Sequence, residues 1–221
     1  MKITKYNQAC LLVETSGKRI LVDPGNIGYT DNMFEKEWIN IDYILITHKH
    51  PDHCIPEIIN KIVVRDNAKL YTTYEVVENQ PLYGANVIKA GDIIDDNVIK
   101  IYVTRAIHGY LPHMKNNEVK ENVGYIIDDG QKKLYITSDT IGFNNDYKCD
   151  VICMSFNGNG LTLGILDGIL FAKETGAKLV LPIHMQHPNP IMNPDIKILK
   201  KSLQINNIEY KILDIGEIIE I

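Results

Sequence analysis

Three histidines and an aspartate fall within six positions of one short run, Thr47-His48-Lys49-His50-Pro51-Asp52-His53. Imidazole nitrogens and carboxylate oxygens are the usual ligands of zinc and related divalent ions, and open sites built from them activate water. In extended backbone His48 and His50 point to one side, while a turn at Pro51 swings Asp52 and His53 back toward it. Lys49 then points away and is assigned no chemistry. Isolated surface histidines do not normally cluster beside a carboxylate, so a metal site is the stronger reading.

The run follows an almost continuously apolar segment, Ile41–Thr47, the pattern of a strand covered on both faces. An α/β sheet collects its functional groups at one edge, beyond the ends of its strands. Three further candidates stand in such places. His108 follows a strand ending at Arg105, Asp139 one ending at Thr137, and His184 the strand Leu179–Ile183. Singly, each has a commoner explanation as a satisfied histidine or a turn aspartate; together they form a set.

The rest of the chain predicts one α/β domain over residues 1–221, rich in strands. A hairpin opens it, Cys10–Glu14 and Arg19–Val22 joined through Ser16-Gly17, and a second brackets Asp128-Asp129-Gly130 between Val123–Ile127 and Lys132–Thr137. Other strands are expected at Lys69–Thr72, Val98–Arg105, Val151–Ser155 and Tyr210–Leu213. Helices are expected at Pro56–Val64, Ile165–Glu174 and Pro194–Leu203, the last capped by Asn193. Hydrophobic residues at 45% and charged residues at 23% match a globular protein. The apolar runs fall short of the ~18 residues a membrane span needs, so no membrane partner is expected. Ala9–Val13 runs straight into Glu14, unlike a signal-peptide core, which makes the cytoplasm the expected location. The four cysteines are read as reduced thiols, with Cys54 buried beneath the metal loop. A net charge of −5 and the lack of a basic track make nucleic acid an unlikely partner.

The motifs resemble those of the metallo-β-lactamase superfamily of metal-dependent hydrolases. Asp23 in Leu21-Val22-Asp23-Pro24-Gly25 matches its first acidic motif, and His48, His50, Asp52 and His53 match its H-x-H-x-D-H signature. His108, Asp139 and His184 match the later motifs in order. Asn159–Gly164, Asp167 and Pro182-Ile183-His184 resemble the branch containing ascorbate-6-phosphate lactonase, with Ser138 standing where that branch usually has glycine and an altered loop at Asn157–Gly160. The resemblance implies a four-layer αββα sandwich with two divalent metal ions at one edge, zinc favoured and manganese or iron allowed. It implies that His48, His50 and His108 hold one ion and Asp52, His53 and His184 the other, with Asp139 bridging. A bridging hydroxide would be the nucleophile, Asp52 could orient it or take its proton, and Asp23 would fix a ligand ring from behind.

That ligand set with two ions and one hydroxide sums to about +1, which favours a small anionic substrate: an ester, lactone or phosphodiester. His113, His187, Asn159 and Thr162 are candidate substrate contacts, although His113 and His187 are more simply solvated loop residues. Specificity is expected in the loops Asp31–Trp38, Tyr110–Asn122 and Asn157–Thr162. Two other functions are weighed against hydrolysis of a small substrate: nucleic-acid phosphodiester cleavage, and metal binding without catalysis. A di-iron oxygen or nitric-oxide reductase would be expected to show a carboxylate at the His50 position. A homo-oligomer is compatible, with Trp38 or Tyr110 as interface aromatics, though a lone aromatic more often packs within its own domain.

Overall fold

The computed structural model of the chain describes residues 1–111 and 118–221. They divide into two compact units, Met1–Lys89 with Asp214–Ile221, and Ala90–Leu213. His113 lies outside the described residues.

The first unit is built on a seven-stranded mixed sheet ordered β13-β1-β2-β3-β4-β5-β6. Strands β2 (Leu11–Thr15) and β3 (Lys18–Val22) form the expected hairpin, Leu11 opposite Val22 and Thr15 opposite Lys18. Ser16 and Gly17 both carry positive φ, 49° and 75°, as the tight turn requires. Strand β1 (Lys2–Lys5) pairs antiparallel with β2, and β13 (Ile218–Glu220) pairs with β1 at the sheet edge. Strands β4 (Tyr43–Leu45), β5 (Lys69–Thr72) and β6 (Asn86–Val87) continue parallel to β3.

The apolar run Ile41–Thr47 pairs as a strand only over the three residues of β4, shorter than the sequence pattern suggests. From Thr47 on, the chain leaves the ladder to make the metal-type loop, with Asp23 N–H donating to Leu45 O across the last rung at 3.0 Å. Helix α1 (Pro56–Asp66) follows at once, with Pro56 in its first turn and Ile58, Ile59 and Ile62 buried along one stripe. Asn67, at φ 54°, ends it in the left-handed region. Helix α2 (Tyr74–Asn79) begins after the cap residue Thr73. Trp38 is 1% exposed and meets Tyr6 edge to face at 5.5 Å, so it belongs to the core and not to an exposed patch.

The second unit holds a six-stranded sheet ordered β12-β11-β10-β9-β8-β7. Its strands are β7 (Ile93–Asp95), β8 (Lys100–Arg105), β9 (Val123–Asp128), β10 (Lys133–Ile136), β11 (Val151–Ser155) and β12 (Leu179–Ile183). Strands β10, β11 and β12 are parallel, and β8 and β10 each run antiparallel to β9 between them. The carboxyl ends of β8, β10, β11 and β12 therefore share one edge. Helices α3 (Ile165–Thr175) and α4 (Ile196–Ile205) cover a core of Tyr135, Ile152, Met154, Phe156, Phe171 and Leu199.

Two expectations are corrected here. Helix α4 starts after Asp195, whose Oδ1 accepts from Lys197 N at 2.8 Å and Ile198 N at 3.0 Å. The start expected at Pro194 with Asn193 as its cap gives way because Asn193 already closes a short 3-10 turn over Pro190–Met192. Tyr210–Leu213 forms no strand, only an isolated bridge from Tyr210 to Val180. No helix among the described residues is long and apolar enough to cross a membrane.

Candidate metal centre

In the first unit the donors grow out of the ends of β3 and β4. Gly25 permits this packing: a Cβ there would sit 1.6 Å from the Asp52 carbonyl oxygen. Asn26 N–H donates to Pro51 O at 2.9 Å, and His53 N–H to His50 O at 3.0 Å, closing the turn at Pro51 that returns Asp52 and His53 toward the first two histidines. The rings of His48 and His50 lie 4.7 Å apart, and those of His48 and His53 4.1 Å apart. His48 and His53 are fully buried, and His50 is 9% exposed.

Behind the rings lies Asp23, fully buried and held at φ 47°, in a region that non-glycine residues seldom enter. Its Oδ1 accepts from Thr47 N–H at 2.8 Å; its Oδ2 accepts from Thr47 Oγ1 and from His53 Nδ1, each also at 2.8 Å. An ionised carboxylate only accepts, so His53 carries its proton on Nδ1. The Thr47 hydroxyl gives its proton to Asp23, leaving its oxygen to accept from His48 Nδ1 at 3.0 Å. One carboxylate thus fixes the tautomers of two histidines, one directly and one through a threonine, and leaves both Nε2 atoms as donors to a metal.

In the second unit His108, Asp139 and His184 lie beyond the carboxyl ends of β8, β10 and β12, on the edge they share. His108 is half-buried, and its Nδ1 donates to Gly109 O at 2.8 Å, which again frees Nε2. Gly109 is required where it stands, since a Cβ would lie 1.9 Å from Gly160 O. The loops bearing the donors are tied together by Gly109 N–H to Leu161 O (2.8 Å), Ile141 N–H to Ile107 O (2.7 Å) and Ile107 N–H to Thr140 Oγ1 (2.9 Å). Ser138 has φ 64°, which explains why a glycine would suit the position. Its hydroxyl donates to Asn122 Oδ1, and Asn122 Nδ2 donates to Asp139 O, both at 2.7 Å, so the side chain that replaces glycine steadies the neighbouring aspartate. His184, at φ 58°, has Nδ1 3.1 Å from Asn157 Nδ2 and Nε2 3.1 Å from Asp139 Oδ2.

The donor set fits a metal on its spacing as well as its chemistry. Two ligands at ~2.0–2.1 Å around a tetrahedral ion stand about 3.3 Å apart. His48 Nε2 and His50 Nδ1 are 3.1 Å apart, and His184 Nε2 and Asp139 Oδ2 also 3.1 Å. His53 Nε2 and Asp52 Oδ2 are 3.7 Å apart.

Other expected residues sit outside these donor groups. His187 is locked in its own turn, its N–H donating to Asn193 Oδ1 at 2.8 Å and its Nδ1 accepting from Asn189 N–H at 3.0 Å. Asn159 is exposed, at φ 56°, and donates to Ile191 O at 3.3 Å. Thr162 is buried, and its hydroxyl accepts from Ser155 Oγ and Gly158 N–H, so it braces its loop. Thr47, Asn122 and Asn157 were not singled out from the sequence, because a hydroxyl or amide shows its use only when its partner from another strand is in place. Lys49 does point away from the donors, and it is tied down: its Nζ donates to Glu75 Oε1 at 2.7 Å and its carbonyl accepts from Gln80 Nε2 at 3.0 Å. All four cysteines are free and buried. Burial, and then the charge of Asp23, push the Cys54 thiol up to about 12, so it is no thiolate ligand.

An α/β fold of two mixed sheets with imidazoles and carboxylates at their strand ends defines a metallohydrolase of the metallo-β-lactamase fold. The chain belongs to the beta-lactamase superfamily, whose domain model matches residues 2–184. A UPF0173 metal-dependent hydrolase of Bacillus cereus is 28% identical, with 98% of each chain covered. Among solved structures, Igni18, a metallo hydrolase from Ignicoccus hospitalis, superposes with a TM-score of 0.80 at 22% identity, covering 99% of this chain and 97% of that one. A putative metal-dependent hydrolase from Parabacteroides distasonis gives 0.77 at 23% identity, covering 95% and 91%. Those two likenesses establish the fold, and the relatives matched over their full length are named metal-dependent hydrolases.

Proposed function

We propose that the chain hydrolyses a small anionic ester, lactone or phosphodiester with two divalent metal ions, zinc favoured by the nitrogen-rich donors. In this reading His48, His50 and His108 hold one ion, Asp52, His53 and His184 the other, and Asp139 stands between them. The observation that carries it is the anchoring of His48, His53 and His108 through Nδ1, which leaves each Nε2 for a metal. Bound there, two ions would supply a lowered pKa for shared water and positive charge against the leaving oxygen. Asp52, partly exposed beside His53, accepts the proton that the attacking water loses. Asp23 and Thr47 hold the rings against rotation, and Asn122 holds the backbone of Asp139.

A cationic pocket in a chain of net charge −5 draws anionic substrates locally, not over long range. The acidic balance weighs against nucleic acid as substrate. Four free buried thiols accord with a reducing compartment, the cytoplasm in this proposal. The lactonase-like branch of the family supplies the first substrates to try.

The test is elemental analysis of native-purified protein and of an Asp139→Ala, His184→Ala double variant, paired with hydrolysis of a bis-aryl phosphodiester and a panel of small lactones. Near two equivalents of metal, lost in the variant together with turnover, is the expected result. Metal without turnover on any substrate would favour a binding protein, and no metal under any loading condition would overturn the proposal.

A further inference from the structure

Among the described residues, Gln8 is a glutamine whose buried carboxamide meets no hydrogen-bonding group. It is 1% exposed, and neither Oε1 nor Nε2 has a hydrogen-bond partner among the described residues. An amide buried in this way costs folding free energy that an apolar side chain of the same length would not. The backbone adds to that cost, because Gln8 stands at φ 52°. It is the first central residue of a turn closed by Cys10 N–H donating to Asn7 O at 3.1 Å, with Tyr6 N–H donating to Cys10 O at 2.9 Å.

The sheet register says where this turn lies. Strand β2 runs antiparallel to β3 with Leu11 opposite Val22, so one step further Cys10 faces Asp23. The Cys10 thiol is raised by burial and then by the charge of Asp23. β4 runs parallel to β3, with Val22 beside Leu45, and Thr47 reaches Asp23 directly. The turn holding Gln8 thus sits at the same end of the sheet as Asp23, Thr47 and His48. A buried, strained, unsatisfied amide at the edge that carries the metal donors has the form of a group whose partner arrives with the occupant of the site.

We propose that Gln8 is a polar contact residue of the metal centre, its carboxamide hydrogen-bonding an oxygen of whatever fills the site, either a substrate oxyanion or solvent. Nε2–H serves an oxyanion, and Oε1 serves a solvent proton. This rests on the hydrolase reading above and adds a residue from the β1–β2 turn to it.

Gln8→Met keeps the length of the side chain and removes its polar atoms. The measurements are thermal stability of the metal-free protein, metal content, affinity for inorganic phosphate by calorimetry, and kcat and KM on the bis-aryl phosphodiester. The expected result is a Tm at or above wild type and full metal content, with a functional loss of roughly 10- to 100-fold, the scale of one hydrogen bond to a charged group. If the partner is a substrate oxyanion, phosphate affinity falls and KM rises; if it is solvent, kcat falls while KM and phosphate affinity stay. A raised Tm with kcat, KM and phosphate affinity all unchanged would overturn the proposal. So would a lowered Tm with unchanged kinetics, which would mean that the amide is satisfied within the fold. Wild-type protein without metal would overturn the hydrolase reading itself, a result separable from any of these.

Discussion

Asp23→Asn changes one atom of the buried network and tests how the histidines are held. The introduced carboxamide can still accept Thr47 N–H through its oxygen, but an NH2 group replaces the oxygen that receives Thr47 Oγ1 and His53 Nδ1. Two donors would then face a donor. The arrangement relaxes if His53 moves its proton to Nε2 and the Thr47 hydroxyl turns its own proton away from residue 23 and onto His48 Nδ1, which must then give up the proton it holds there. Both histidines lose the tautomer that presents Nε2 to a metal. Loss of one such outer partner typically costs 10- to 100-fold in metal affinity, about 1.4 to 2.7 kcal/mol. Since Asp23 serves two rings, the upper end or beyond is expected. Leaving one of these buried groups unsatisfied costs about 1–3 kcal/mol of stability, or roughly 2–12 °C in Tm for a chain of this length. Competition with a chromophoric chelator measures the affinity, and circular dichroism the fold and its Tm. A variant that binds metal within threefold of wild type would refute the argument that Asp23 sets the tautomers.

Two further outcomes follow from side chains that serve as no metal donor. Lys49 and Glu75 are paired at 2.7 Å with side chains only 16% and 9% exposed, so Glu75→Ala, which strands the ammonium, should cost ~3–5 kcal/mol. Lys49→Met with Glu75→Leu should cost clearly less, and urea unfolding of the two variants decides it. The thiols of Cys54 and Cys149 are pushed up to about 12 and about 11, chiefly by burial, and that of Cys10 is raised as well. The unfolded chain therefore loses these protons first. The stability they confer is whole below pH ~9 and declines as pH rises toward about 12, by up to ~1.4 kcal/mol per pH unit for each thiol. Urea midpoints at pH 8 and pH 10 should show the fall, and Cys54→Ala should flatten it.

Much of the candidate site was legible because its donors follow strands in order along the chain, and strand ends can be read from runs such as Leu179–Ile183. The spacing from His48 to His53 needed only local geometry. Strands β1 and β13 were not legible: Lys2–Lys5 and Ile218–Glu220 are short, and each is a strand because of its neighbour in the sheet, β2 beside the first and β1 beside the second. Helix α2 was missed because its six residues are too few to show a period. The start of α4 was not legible because Asn193, the cap the sequence suggests, is taken up by the turn before it, and Asp195 caps the helix instead. Asp23 could be placed by its motif, but its work could not. Thr47 looked like the last residue of an apolar strand until its hydroxyl met a carboxylate from the adjacent one.

The shared oxygen of Asp23 has a thermodynamic corollary. His48 and His53 serve different ions in the proposed assignment, yet both rings are indexed to the same Oδ2, one directly and one through Thr47. In that assignment an ion held by either ring would stiffen that oxygen's surroundings and so remove part of the ordering entropy that a second would otherwise face. Loading should then be positively cooperative: a chelator titration would pass from two equivalents to none with little singly loaded protein between.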